Sequence, residues 1–285
     1  MKDRDRKGLT QKMVTVPIFS KLAVHTITTK PWSLREALDG YAAAGVSGIT
    51  LWRDAIEGAG LDEAVAMLAD SPLDVVGLAR GGFFPAETAS ERQAAINDNR
   101  ILIDMAEATG APVLVLVCGA WPGQSLEESR KQIGEGIAAL LEHASQAGVR
   151  LAIEPLHPMY ADTRSAVVSV GQANDLIDTI GDERVGIALD VYHTWWDDRL
   201  EAEIQRAGQR ICAFHICDWR VPTRDFLTDR TIMGEGCIDI PRIRGWVEAA
   251  GFDGHHEVEI FSEEYWAMDQ GEFLARIVEA YRELA

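Results

Sequence analysis

A chain of 285 residues, 47% hydrophobic and 25% charged, is long enough to bury a sizeable core. Its 27 basic against 45 acidic side chains leave a formal charge of −18, a field that repels nucleic-acid phosphates and anionic lipid, so neither is expected as a partner. No stretch approaches the roughly 18 consecutive apolar residues that a membrane span requires.

The basic, polar start MKDRDRKGLTQKM has no apolar run behind it, so residues 1–14 are expected to be a disordered lead-in rather than a secretory signal, with one undivided domain over 15–285. KLAVHTI (21–27) reads as a strand, followed by a helix with Ser33 as cap, Glu36 completing a capping box and Gly45 closing it. SGITLW (47–52), the helix LDEAVAMLAD (61–70) and DVVGLA (74–79) continue the alternation. After RGGFFP (80–85) come a helix over 91–110, the strand PVLVLVCG (112–119) and one long helix over 126–148.

RLAIEP (150–155) then leads through a loop and segment 171–181 to the strand VGIALD (185–190) and a helix over 201–209. ICAFHI (211–216), a long loop (217–237), IPRIRGWVEAAG (240–251) and HHEVEIF (255–261) complete eight strands alternating with helices. The runs are apolar throughout, as strands covered on both faces are, and the first strand-to-helix turn carries no GxGxxG. The expected fold is therefore α/β, a single (β/α)₈ barrel, whose chemistry sits at the C-terminal ends of its strands. The last helix, FLARIVEAYREL, has an apolar stripe that suits either its own barrel or a second copy, so a homo-oligomer stays open.

Glu154, Asp190, His215 and Glu259 all fall at that end of their strands. Three carboxylates and one imidazole suit Mn²⁺ best, with Mg²⁺, Co²⁺ and Zn²⁺ also open. Glu257 points to the same face as Glu259 and is the second choice for the last ligand. Cys118, Cys212, Cys217 and Cys237 show no CxxC spacing and are read as reduced thiols of a cytoplasmic protein.

The order Glu154-Pro155, then LDVYH (189–193), then Phe214-His215 with Asp218, then GEGCID (234–239), then VEIF (258–261) is specific. It resembles the xylose-isomerase-like barrels, the AP endonuclease 2 family that includes sugar 3-epimerases, hydroxypyruvate isomerase and the inosose enzymes. The likeness runs from the first strand to VEIF and is strongest after residue 150. It implies that Glu154, Asp190, His215 and Glu259 hold the metal and that His193 contacts substrate. It also implies a small-molecule keto sugar as substrate, with Glu154 and Glu259 as the acid/base pair for isomerisation or epimerisation.

An endonuclease of the same family shares D-V-Y-H and Asp229-Arg230 before Gly234-Glu235-Gly236. Yet Thr231 stands here where it has a ligand histidine, and the third and fourth strand ends lack its other histidines. One metal ion is expected, not three.

Two alternatives remain: a lyase that cleaves 3-oxo-glycosides by β-elimination, and a sugar-binding barrel without chemistry. His157 and His25 are each read either as substrate contacts or, respectively, as a loop and a core histidine. Arg53, Arg80, Arg220, Arg224 and Arg230 follow strands, so they either converge on an acidic or phosphorylated substrate or pair with surface acids. Among these, Arg80 and Arg220 are expected at the substrate, together with Trp52 as an aromatic wall. Phe83, Phe84, Trp121, Trp195, Trp196 and Trp219 are further candidates for that wall.

Overall fold

The computed structural model of the chain describes residues 19–284, so the expected lead-in over 1–14 and the domain start at residue 15 lie outside the described residues. Eight parallel strands close into one barrel: β1 (Phe19–His25), β2 (Val46–Trp52), β3 (Asp74–Gly82), β4 (Val113–Val117), β5 (Arg150–Glu154), β6 (Val185–Asp190), β7 (Ile211–Ile216) and β8 (His256–Val258). Each strand pairs with its sequence neighbours, and β1 closes on β8 with Ala23 opposite Glu257.

The expected Ser33 cap starts its helix, while the helix expected from residue 91 starts two residues earlier, behind Thr88. Ser33 and Thr88 each close a capping box, with Glu36 and Glu91, at the starts of Leu34–Ala43 and Ala89–Thr109. The segment expected as one helix over 126–148 is instead two, Leu126–Ala138 and Leu141–Ala147, with Leu140 buried at the break. Gly136 lies in the first of them, where a Cβ would come within 2.4 Å of the Phe84 ring. Phe84 is thus packed beneath a helix instead of walling a pocket.

Large aliphatic side chains fill the layer between strands and helices. The C-terminal helix Gln270–Leu284 sends Phe273, Leu274, Ile277, Val278 and Tyr281 into that layer, so its stripe is spent on its own barrel. Inside the barrel the side chains are small: Ala79, Val115, Ala152, Ala188 and Ala213 form a separate cluster. Small residues there leave room for longer polar groups at the strand ends. Among the described residues no helix is long and apolar enough to cross a membrane, and all four cysteines are free.

The expected strand HHEVEIF is shorter than its apolar run. Only His256–Val258 pairs with its neighbours. Beyond it, the Ile260 N–H donates to Thr28 Oγ1 and the Phe261 carbonyl accepts from the Arg230 N–H, so the backbone leaves the ladder to meet two loops.

Candidate functional site

Glu154 ends β5, Asp190 ends β6, His215 lies one residue before the end of β7, and Glu259 follows β8 by one residue. All four are buried, and one ligand atom from each lies within 4.8 Å of those of the others. Register explains the meeting, since Asp190 is paired with His215 and the Glu259 N–H donates to the Ile216 carbonyl. His215 Nδ1 lies 3.1 Å from Glu154 Oε1.

Burial and repulsion set the charges. Burial opposes a charged His215, but the Glu154 hydrogen bond and the nearby Glu257 and Glu259 overcome it, raising the imidazole to about 10. For His25, burial and then His215 press downward, yet Glu259 and Glu257 leave it raised. Asp190 is pushed up, first by burial, with Arg230 opposing and Glu259 and Glu154 adding to the rise. Burial works to raise Glu259 too, but Arg230 and His25 hold it well below the usual carboxylate range.

Glu257 sits one pleat deeper than Glu259. Its Oε2 accepts from Thr50 Oγ1 at 2.6 Å and lies 3.4 Å from His25 Nε2 and 3.8 Å from His215 Nε2. Thus it faces two imidazoles from below instead of joining the cluster of four. His25 is buried beside them, with Nδ1 3.2 Å from Glu259 Oε1.

Arg230, read from sequence as one of five arginines either at the substrate or paired with acids, is central to the cluster. Its Nη1 donates to Asp190 Oδ2 at 2.9 Å and to Glu259 Oε2 at 2.8 Å, and its guanidinium faces the Tyr192 and Phe261 rings. The Asp229-Arg230 pair before GEG was the available signal. Asp218 presents this loop by accepting from the N–H groups of Trp219, Gly234, Gly236 and Ile238. A side chain at Gly236 would meet Asp218 Oδ1 at 2.3 Å, which is why the motif carries glycine there.

His193 is held neutral, chiefly by burial and then by Arg230. Its Nε2 accepts from Arg230 Nη2 at 3.1 Å, which leaves the proton on Nδ1, a buried atom without a protein partner. A cavity above the cluster is lined by Trp52, Arg80, His193, Arg230 and the two glutamates, together with Tyr160, Arg164 and the aliphatic Val115, Val117, Leu156 and Leu227. Tyr160 and Arg164 were not anticipated, because they lie in an irregular loop after β5 that has no periodic pattern.

Three expected substrate contacts are not brought to that cavity: His25 is a core histidine, fully buried between Glu257 and Glu259, and His157 and Arg220 are held elsewhere. His157 accepts from the Met159 N–H and packs against Trp196 and Trp219, so it is a loop histidine bonded to backbone. Arg220 pairs instead with Asp229 at 2.9 Å and Glu264 at 3.5 Å. Arg53 and Arg224 are likewise taken up by acids, with Glu57 and Asp98 for the first and Asp229 and Glu264 for the second.

Residues 38–277 match the family described as xylose isomerase-like TIM barrel. An inosose isomerase of Bacillus velezensis is 30% identical over 146 residues, a stretch spanning 50% of this chain and 50% of that relative. A solved protein of Sinorhizobium meliloti 1021 is 48% identical with a TM-score of 0.90, covering 93% of this chain and 98% of that one. The IolI protein, solved with a bound zinc atom, shares the fold with a TM-score of 0.82 and 22% identity over 93% of this chain and 97% of its own.

Proposed function

The chain belongs to the xylose isomerase-like TIM barrel family, and on that premise we propose that it is a divalent-metal-dependent isomerase or epimerase of a keto sugar or sugar derivative. The observation that carries this reading is the convergence of Glu154, Asp190, His215 and Glu259 on one point. Three carboxylates and an imidazole at such separations match a single hard or borderline cation. The raised His215 points the same way, because the acids outweigh burial and call for positive charge. Manganese is the ion assigned, with zinc as its competitor. The inosose isomerase names of the curated relatives agree with the chemistry.

A bound divalent ion supplies Lewis-acid polarisation of a carbonyl and stabilises negative charge on its oxygen. Glu259, kept as a carboxylate by Arg230 and His25, takes the proton from the carbon beside the carbonyl. The electron pair of that C–H bond moves toward the carbonyl, and its charge comes to rest on oxygen. Glu154, on a strand three places away, returns a proton to carbon. Delivery to the opposite face of the same carbon gives the epimer, and delivery to the former carbonyl carbon, with the adjacent hydroxyl's proton passing to the former carbonyl oxygen, gives the aldose–ketose isomer. His193 donates from Nδ1 to a substrate oxygen, while Trp52 walls the ring. With its four free thiols, the protein is assigned to the reducing cytoplasm.

Incubating the manganese-loaded protein with keto sugars in D₂O tests the reading. Deuterium beside the carbonyl, with formation of the isomer, is expected. No exchange with any ligand that binds would overturn it. Aglycone release from a 3-oxo-glycoside without isomer formation would replace it by the lyase.

A further inference from the structure

Acids outnumber bases in this chain by 45 to 27, and most well-placed arginines have found one. Arg206 and Arg210 share Asp178, Arg53 holds Asp98, and Arg230 holds Asp190 and Glu259. Arg80 and Arg164 are different. Both are half-buried and both line the cavity above Glu154 and Glu259, yet among the described residues neither guanidinium makes an ion pair or a hydrogen bond.

Their positions are nonetheless built. Arg80 lies in β3, with its guanidinium over Trp52 at 5.5 Å and over Phe83 at 5.1 Å. Arg164 is tied by its backbone, its carbonyl accepting from the Gly119 N–H at 2.8 Å and its own N–H donating to the Tyr160 carbonyl at 2.9 Å. Its guanidinium lies 5.5 Å from the Tyr160 ring. Aromatic contact orients a guanidinium without using its N–H donors, so each keeps its donors for a ligand. Burial, and next the like charge of Arg164, pull the Arg80 guanidinium below its ordinary range. Glu154 and Glu259 line the same cavity, but neither forms an ion pair with Arg80 or Arg164, so both guanidiniums keep their donors for an incoming anion.

We infer that Arg80 and Arg164 form the subsite for a carboxylate on the substrate, at the end remote from the reacting carbonyl, and that the enzyme acts on a keto sugar acid rather than a neutral keto sugar. A flat carboxylate fits the planar donor fork of arginine. A phosphate would bring a second negative charge toward Glu154, Asp190 and Glu259. The inference rests on the function proposed above for where the carbonyl sits, and it adds the substrate's charge.

The test uses three probes with one keto-hexose skeleton that differ only at C6: D-fructuronate, D-fructose and D-fructose 6-phosphate. Calorimetric binding to the manganese-loaded protein is measured for the wild type, R80Q, R164Q and the double variant, with R53Q as a surface control. The acid is expected to bind tightest, by roughly tenfold or more for each arginine. That preference should fall by about tenfold in either single variant, vanish in the double variant and persist in R53Q. Equal binding of acid and neutral sugar, tighter binding of the phosphate, or a preference that survives in the double variant would overturn the inference. Deuterium exchange on the same samples separates the two readings. An acid preference lost in the double variant, but without exchange, removes the proposed isomerase and leaves the carboxylate subsite standing. Exchange with no acid preference does the reverse.

Discussion

Arg230 Nη1 lies 2.8 Å from Glu259 Oε2, and both side chains are buried at the rim of the barrel. This guanidinium supplies positive charge to Glu259 and Asp190 before any cation does. Arg230→Gln should therefore lower the stability of the metal-free protein by about 3 kcal/mol or more, since it leaves buried acids unpaired. Saturating manganese should narrow the gap. Urea unfolding with and without the ion checks this; equal metal-free stability of variant and wild type would contradict the assigned role.

Glu257 faces His215 of the cluster of four and the neighbouring His25 from the deeper side, bonded to Thr50. On the proposed reading it orients His215 from outside the cluster of four. Glu257→Gln should keep one ion per chain with affinity lowered about tenfold, as loss of an outer partner does. Glu259→Gln should weaken the ion more and abolish deuterium exchange even when the ion is retained at high concentration. Competition titration and exchange on both variants decide between them, and a larger metal loss in Glu257→Gln would exchange their roles.

Much of this was legible because buried parallel strands announce themselves as apolar runs, and a barrel gathers whatever ends those runs. Glu154, Asp190, His215 and Glu259 each terminate or closely follow one. Loops carry no such period. Arg220 and Arg230 belong to one segment, and the path that Asp218 holds takes the first to Asp229 and the second to Asp190 and Glu259. Arg164 and Tyr160 reach the cavity through hydrogen bonds between backbone groups, which leave no trace in side-chain pattern. The apolar run through Ile260 and Phe261 overstated β8 for a similar reason: its backbone is satisfied by Thr28 and the Arg230 loop.

Asp218 accepts four backbone N–H groups from the loop that delivers Arg230. Asp218→Ala should cost about 2–4 kcal/mol, because buried donors lose their acceptor, and should reduce exchange activity together with it. Amide hydrogen exchange should rise across residues 217–237 and not in the helix Ala89–Thr109. Uniform loosening of both regions would show that Asp218 acts on the whole fold and not on that loop.

His256 is buried against Tyr281, its Nδ1 2.9 Å from the phenol oxygen, and is pushed down to about 4 by burial first and then by Arg244. The unfolded chain, with an ordinary value of 6.5, takes up that proton at higher pH than the native state. Stability from this group is therefore present above about pH 6.5 and lost as pH falls toward about 4, of order 2 kcal/mol at pH 5. His256→Gln, whose amide carbonyl can accept from Tyr281, should lose less stability between pH 7.5 and 5 than the wild type does. Parallel losses would contradict it.

The central claim is that Glu154, Asp190, His215 and Glu259 hold one divalent ion. Metal-stripped protein dialysed against manganese or zinc and assayed for bound metal tests it most directly. The account predicts one ion per chain in the wild type and less than a tenth of that in Asp190→Asn/Glu259→Gln at the same free-metal concentration, with the fold intact by circular dichroism. No bound ion in the wild type, or full occupancy in the double variant, would contradict it.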